Sequence, residues 1–137
     1  MSGAPVVHVS RRAEFSAAHH LRIAGDPDAS RALFGAMADP AGHGHNYEVT
    51  VTVAAPIDAT TGFGLNVADL KALLTDVVVS RLDGANLVEA IAELGALPAT
   101  CEALAVVIWR WLSPRAPSLR AVRVAEHPRL WAEYRGE

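Results

Sequence analysis

Cysteine is all but missing from this chain. Cys101 stands alone in 137 residues, so no internal disulfide framework is possible and a reducing, cytoplasmic setting is the expectation. Long apolar runs are missing too: none approaches the ~18 residues that a membrane span needs. After Met1–Pro5, where an exported chain would carry its apolar leader, this one has His8, Arg11, Arg12 and Glu14. No membrane association and no export by that route are expected. Positive charge is not in excess either. Lys and Arg number 12 against 15 Asp and Glu, and a net charge of -3 offers no basic footprint for nucleic acid. A few local arginines could still meet the phosphate of a small ligand. Repeats, low-complexity tracts and linker-like stretches are absent as well, so residues 1–137 are read as one domain. With 51% apolar and 20% charged residues, the chain has ordinary globular composition and enough length for a packed core.

Periodicity supplies the elements. Val6–Ser16 reads as a first strand, with Val7, Val9 and Phe15 apolar between polar neighbours. Gly25–Gly42 is a long loop, helical around Ala29–Phe34, and loops of that length in a compact domain usually serve a function. Asn46–Ile57 is the cleanest strand: Tyr47, Val49, Val51 and Val53 alternate with Glu48, Thr50 and Thr52. Asn66 reads as the N-cap of a helix whose stripe is Val67, Leu70, Leu74, Val77 and Val78, ended by Asp83-Gly84. A short helical piece at 86–94 precedes a helix capped by Thr100, with Leu104, Val107, Ile108, Trp111 and Leu112 on one stripe. Leu119–Ala125 and Arg129–Tyr134 are the last strands, joined by a turn at His127-Pro128. The order ββααββ predicts an α+β fold, an antiparallel four-stranded sheet with two helices on one face. Such a sheet has two open edges, and a homo-oligomer that closes them is the physical expectation.

Six histidines are present. His43 and His45 lie two apart at the entrance to the second strand, so their side chains share a face. Gly42 and Gly44 around them permit close backbone approach. His19 follows the first strand, which pairs antiparallel with the second, and hairpin topology brings it beside them. Three neutral imidazoles suit Zn2+, and a fourth position left open is the catalytic pattern. A His-x-His pair alone is also compatible with surface or hydrogen-bonding chemistry.

At these residues the chain resembles the 6-pyruvoyl-tetrahydropterin synthase family, which includes the 6-carboxy-tetrahydropterin synthases. Phe15-Ser16-Ala17-Ala18-His19 is similar to the family's first metal segment, and Gly42-His43-Gly44-His45-Asn46-Tyr47 to its second and most specific one. Further matches follow in order: Thr61-Gly62, Asn66 with Asp69-Leu70-Lys71, Leu82-Asp83, Asn86-Leu87, Thr100 with Glu102, Ile108-Trp109, and Glu126 with Ala132-Glu133-Tyr134. The resemblance implies the tunnelling fold (T-fold), whose protomers close a multi-strand barrel, usually as a hexamer. It implies zinc on His19, His43 and His45, and a pterin-like small-molecule substrate, 7,8-dihydroneopterin triphosphate in the family. Glu126 is then the carboxylate that grips the pterin ring, with Thr100 and Glu102 as further substrate-binding residues. Without the resemblance, Glu126 reads as an ordinary strand charge.

The departures fall on proton transfer. The family's pyruvoyl-type members carry a catalytic cysteine, assisted by an Asp-His pair. The corresponding positions here are Met37 and Asp83-Gly84, and a thioether has no proton to exchange. Asp39, in the same loop four residues before His43, is the preferred replacement base, followed by His127 beside Glu126. Asp83 is a candidate that reads equally as a turn cap. Cys101 is read as a small buried residue outside the metal loop, and His20, where the family has Arg, as a surface residue. The function expected is therefore a zinc-dependent lyase with a non-standard base, acting on a reduced pterin or similar molecule. The alternatives are a diverged zinc enzyme with a non-pterin substrate and a non-catalytic pterin-binding protein.

Overall fold

A computed structural model describes residues 3–137. Its sheet has the order β1-β2-β3-β4, antiparallel throughout: β1 (Val6–His19), β2 (His43–Pro56), β3 (Leu119–His127) and β4 (Leu130–Tyr134). The period-two pattern of β2 puts Tyr47, Val49, Val51 and Val53 on one buried face, beside Phe15 of β1 and Val122 and Val124 of β3. The helices pack on that face. One is α2 (Val67–Leu74), which continues through a π-turn (Thr75–Val79) into α3 (Ser80–Leu82); the other is α5 (Cys101–Leu112). Leu70, Leu74, Val77 and Val78 of the first meet Leu104, Val107, Ile108 and Leu112 of the second in one core. This is the α+β arrangement read from the sequence. Two short helices, α1 (Pro27–Phe34) and α4 (Leu87–Ala90), decorate the connections.

The caps behave as their residue types dictate. Asn66 accepts from the Ala68 amide at 2.9 Å, and the Thr100 hydroxyl from the Ala103 amide at 3.2 Å. No helix is long and apolar enough to cross a membrane among the described residues.

The strands run further than their side-chain pattern suggests. β1 extends through Ala17, Ala18 and His19 instead of ending at Ser16, and β2 begins at His43 instead of Asn46. Ala, His and Gly carry no strong strand signal of their own, but here they face one another across the ladder, Ala17 opposite His45 and His19 opposite His43. The far side of β1 is also occupied: the Ala18 amide donates to Ala85 O at 2.9 Å and the Gly84 amide to Ser16 O at 2.7 Å. The metal-ligand candidates therefore sit on paired strands, more rigid than the loop ends the sequence suggested.

Candidate metal centre

The hairpin delivers all three histidines to one point. Their ligating atoms lie within 4.8 Å of one another. The His19 and His43 Nε2 atoms are 3.0 Å apart, close to the ~3.3 Å edge of a tetrahedral zinc site with ordinary Zn–N bonds. The rings meet edge to face, with centroids 4.6 to 5.1 Å apart. Gly42 makes the approach possible. Its φ is +77°, and a Cβ there would stand 3.2 Å from the His19 carbonyl oxygen. Gly44, by contrast, sits in ordinary strand conformation.

His19 is 2% exposed and held from behind. Its Nδ1–H donates to the Ala99 carbonyl at 2.8 Å, and the Tyr47 hydroxyl lies 3.3 Å from the same nitrogen. A proton fixed on Nδ1 leaves the Nε2 lone pair facing the cluster, the arrangement by which outer groups orient a metal-binding imidazole. Burial, and then the other imidazoles, hold His19 below its ordinary value. Burial does the same for His45, against the partial opposition of Glu126. Neutral nitrogens are what a divalent cation requires.

This sets a sign for acid stability. Both folded values lie below the ordinary 6.5, so as pH falls through 6.5 the unfolded chain takes up these protons first. Stability present above that value is lost on acidification. The urea midpoint of metal-free protein should be lower at about pH 5.5 than at about pH 7.5. A midpoint that is flat or rising toward acid would contradict the buried neutral state.

Glu126 is the nearest carboxylate, its Oε2 being 3.9 Å from His45 Nε2 with the side chain 19% exposed. Cys101, in the first turn of α5, lies against it; burial and then that carboxylate push the thiol up to about 11. Burial and Glu126 likewise raise the Tyr47 phenol, which stays protonated. Sequence reasoning named Glu126 but missed its neighbours here. Cys101 lies outside the metal loop, as read, but the start of α5 sets it against Glu126 and brings the Ala99 carbonyl to His19 across most of the chain. The helix cap at Thr100 was the available signal, without anything to say where that helix end would dock.

The remaining candidates are placed less directly. Asp39 is exposed; its Oδ1 accepts from the Ala41 amide at 2.9 Å and it lines a cavity with Arg31 and Pro40, not with the histidines. His127 is exposed, and its Nδ1 accepts from the Arg129 amide at 3.1 Å, closing the β3–β4 turn; it is near enough to act electrostatically on His45. Asp83 accepts from the Ser16 amide at 2.9 Å and faces a cleft with Glu14 and Glu48. Its neighbour Gly84 lines a cavity of about 360 Å³ together with His45 and Asn46. Thr100 is spent on its cap, and Glu102 is exposed in the first turn of α5. His20 departs from the surface reading: it is half-buried, with Nδ1 enclosed and unpartnered.

The chain is similar to known proteins over nearly its whole length. Residues 8–137 match the family model described as 6-pyruvoyl tetrahydropterin synthase. The Drosophila melanogaster 6-pyruvoyl tetrahydrobiopterin synthase is 39% identical over 140 residues, covering 99% of this chain and 83% of the relative. The Homo sapiens protein of the same name is 39% identical over 133 residues, 94% of this chain and 91% of its own. The solved structure of the Caenorhabditis elegans 6-pyruvoyl tetrahydropterin synthase superposes with a TM-score of 0.91 over 100% of both chains at 29% identity.

Proposed function

The chain belongs to the 6-pyruvoyl tetrahydropterin synthase family, and from that premise we propose that it is a cytoplasmic zinc-dependent lyase acting on the side chain of a reduced pterin. The observation that supports this best is the adjacency of two chemistries: a three-imidazole cluster and, 3.9 Å from one of its members, the Glu126 carboxylate. Zinc held by His19, His43 and His45 would polarise a hydroxyl or carbonyl of the substrate's side chain. The Ala99 carbonyl keeps His19 in the ligating tautomer. Glu126 accepts paired hydrogen bonds from the amino-pyrimidine edge of the ring, and a carboxylate engaged in this way fixes orientation as well as affinity. Thr100 and Glu102 set the start of α5 beside it.

Proton transfer then falls to a residue other than the family's cysteine. Asp39 is the first candidate, because Oδ1 is held by the Ala41 amide and its other oxygen has no hydrogen bond among the described residues. His127 is the second, through Nε2. Asp83 is tied to the Ser16 amide and is the weakest of the three. Cys101, held protonated near neutral pH, serves Glu126 as a neighbour and not as a base.

Met37 and Gly84 at the usual proton-transfer positions favour a second reading, a zinc enzyme of the same frame that acts on a different hydroxylated substrate. Incubation of zinc-loaded protein with 7,8-dihydroneopterin triphosphate, followed by mass spectrometry, separates the two. Loss of substrate with release of triphosphate is the expected result. Intact substrate after many hours, with metal bound, would favour the second reading. The non-catalytic alternative requires in addition that the intact pterin bind.

The assembly belongs to the same proposal. The open edge of β4, and that of β1 before Ser16, are to be closed by other copies, in a barrel-based hexamer with each site at a protomer boundary. Light scattering at micromolar concentration should give about six times the chain mass. A monomer mass would refute it.

A further inference from the structure

The Tyr47 hydroxyl stands between the two halves of the site. The side chain is 0% exposed and lies two residues past His45 on β2. Phe15, its partner across the β1–β2 ladder, stacks on the ring with centroids 5.1 Å apart and planes 9° from parallel. The ring also meets His45 and His19 edge to face, at 5.5 and 6.1 Å. Packed among three rings, the phenol holds its oxygen in one place, 3.3 Å from His19 Nδ1. That nitrogen is already engaged, its proton going to the Ala99 carbonyl at the shorter distance of 2.8 Å. A protonated nitrogen cannot accept, so the phenol oxygen can only share that proton as a second, longer acceptor. The hydroxyl's own proton then needs an acceptor elsewhere, and Tyr47 makes no other side-chain hydrogen bond among the described residues. Fully buried donors are as a rule satisfied.

Glu126 is the acceptor that the topology brings up. Glu48 pairs with Ala125 across β2 and β3, so the same register one residue on sets Tyr47 opposite Glu126. Residues opposite each other in a ladder put their side chains on one face. The carboxylate reaches within 3.9 Å of His45 Nε2, and the His45 ring lies against Tyr47. After burial, the charge of Glu126 is the main influence that keeps the phenol protonated. We propose that Tyr47 is a positioning residue that joins the metal centre to the ring-binding carboxylate: its oxygen shares the His19 Nδ1 proton, and its own proton goes to Glu126, directly or through one water. The same phenol then helps to turn His19 Nε2 toward the metal position and to fix the Glu126 carboxylate. Hydrogen bonds in series polarise one another, so a change at either end is felt at the other. Because it concerns the same site, the proposal rests on the zinc and pterin reading given above.

The test is a double-mutant cycle of Tyr47→Phe and Glu126→Gln, each of which keeps the shape of the side chain and removes the group in question. The first readout needs neither metal nor pterin: the resonance of the His19 Nδ1 proton in chelator-treated protein. Glu126→Gln should move it, and should move it much less in the Tyr47→Phe background. The second readout is zinc affinity, measured by competition with a chelator. Tyr47→Phe should weaken it about tenfold, as loss of an outer group on a metal ligand does. The further cost of Glu126→Gln should be at least about threefold smaller in that background. Tyr134→Phe removes a phenol that donates to the Glu137 carbonyl, and should leave zinc affinity within about twofold. A role confined to packing would lower the urea midpoint of Tyr47→Phe and leave the cycle additive. The chain has two tyrosines, so should Tyr47→Phe disturb folding, 3-fluorotyrosine labelling gives two lines, which Tyr134→Phe assigns. The Tyr47 line should then shift on zinc binding and on Glu126→Gln, and a line indifferent to either overturns the link. So does a His19 resonance that responds to Glu126→Gln equally with and without the phenol, or costs in zinc affinity that simply add. A parent that binds no zinc removes the metal reading, while the resonance in metal-free protein still decides the link.

Discussion

Protein purified without added metal should carry close to one zinc per chain, and His43→Ala should carry less than about a tenth of that. The three nitrogens are set within 4.8 Å of one another by a regular strand ladder, so little ordering is left for the ion to impose. Taking away one of three ligands leaves an incomplete site. Losing an outer hydrogen bond to a metal ligand already costs ~10–100-fold in affinity or activity, and loss of a ligand itself should exceed that. His43 is the informative position because it is partly exposed and its removal leaves the core intact. His19→Ala would also strip Ala99 and Tyr47 of their partner, mixing metal loss with damage to the fold. Turnover should fall with metal content, by about a hundredfold or more. Metal analysis showing a few hundredths of an equivalent in the parent, or equal zinc in parent and variant, would remove the metal from the mechanism.

The second large effect concerns the base. The unmodified protein should form the 6-pyruvoyl product slowly, and Met37→Cys together with Gly84→His should raise that rate. Positioned acid–base catalysis contributes on the order of 10²–10⁴ in rate, and this sets the range of the expected gain. Met37 stands half-exposed in the turn whose carbonyl accepts from the Leu21 amide at 2.7 Å, two residues past His19. Gly84 lines the cavity that also contains His45, so a side chain added there has the site before it. A Cβ at position 84 meets nothing within 4 Å, but its φ of +74° makes any residue except glycine pay about 1 kcal/mol or more in backbone strain. Some loss of stability should therefore accompany the gain in rate. Asp39→Ala, measured beside it, should lower whatever activity the parent has by a factor in the same range. Fast pyruvoyl formation by the parent would show that a base at position 37 is dispensable. An Asp39→Ala variant as active as the parent would exclude that carboxylate and pass the role to His127.

Much of this site could be read without coordinates, because the governing rules are local. Alternation along Tyr47–Val53 fixed which side of β2 is buried. The spacing of His43 and His45 then put both imidazoles on one side, and hairpin pairing called His19 to join them. Asn66 and Thr100 announced their helices by cap chemistry. Each of these depends on neighbours within a turn, a strand or one antiparallel pairing.

The rest depends on how distant elements dock, which periodicity does not encode. That α5 would lay its first turn against the cluster follows from its packing on β3 and β4. Only that packing gives His19 a carbonyl from Ala99 and Glu126 a thiol neighbour in Cys101. The fate of the acids was decided in the same way. Asp39 was the preferred base in the sequence and Asp83 a candidate that could equally cap a turn; the 83–86 segment lies along β1 and gives the Asp83 carboxylate to the Ser16 amide, while the loop before His43 turns Asp39 onto Ala41. His20 read as a surface residue because a single polar side chain after a strand has no partner visible in sequence. Folding the 20–40 loop back over it enclosed one nitrogen. Residue type and spacing determined which groups could bind a metal; burial and the backbone atoms supplied by remote segments decided which stayed neutral, which were already engaged, and which were left for a ligand.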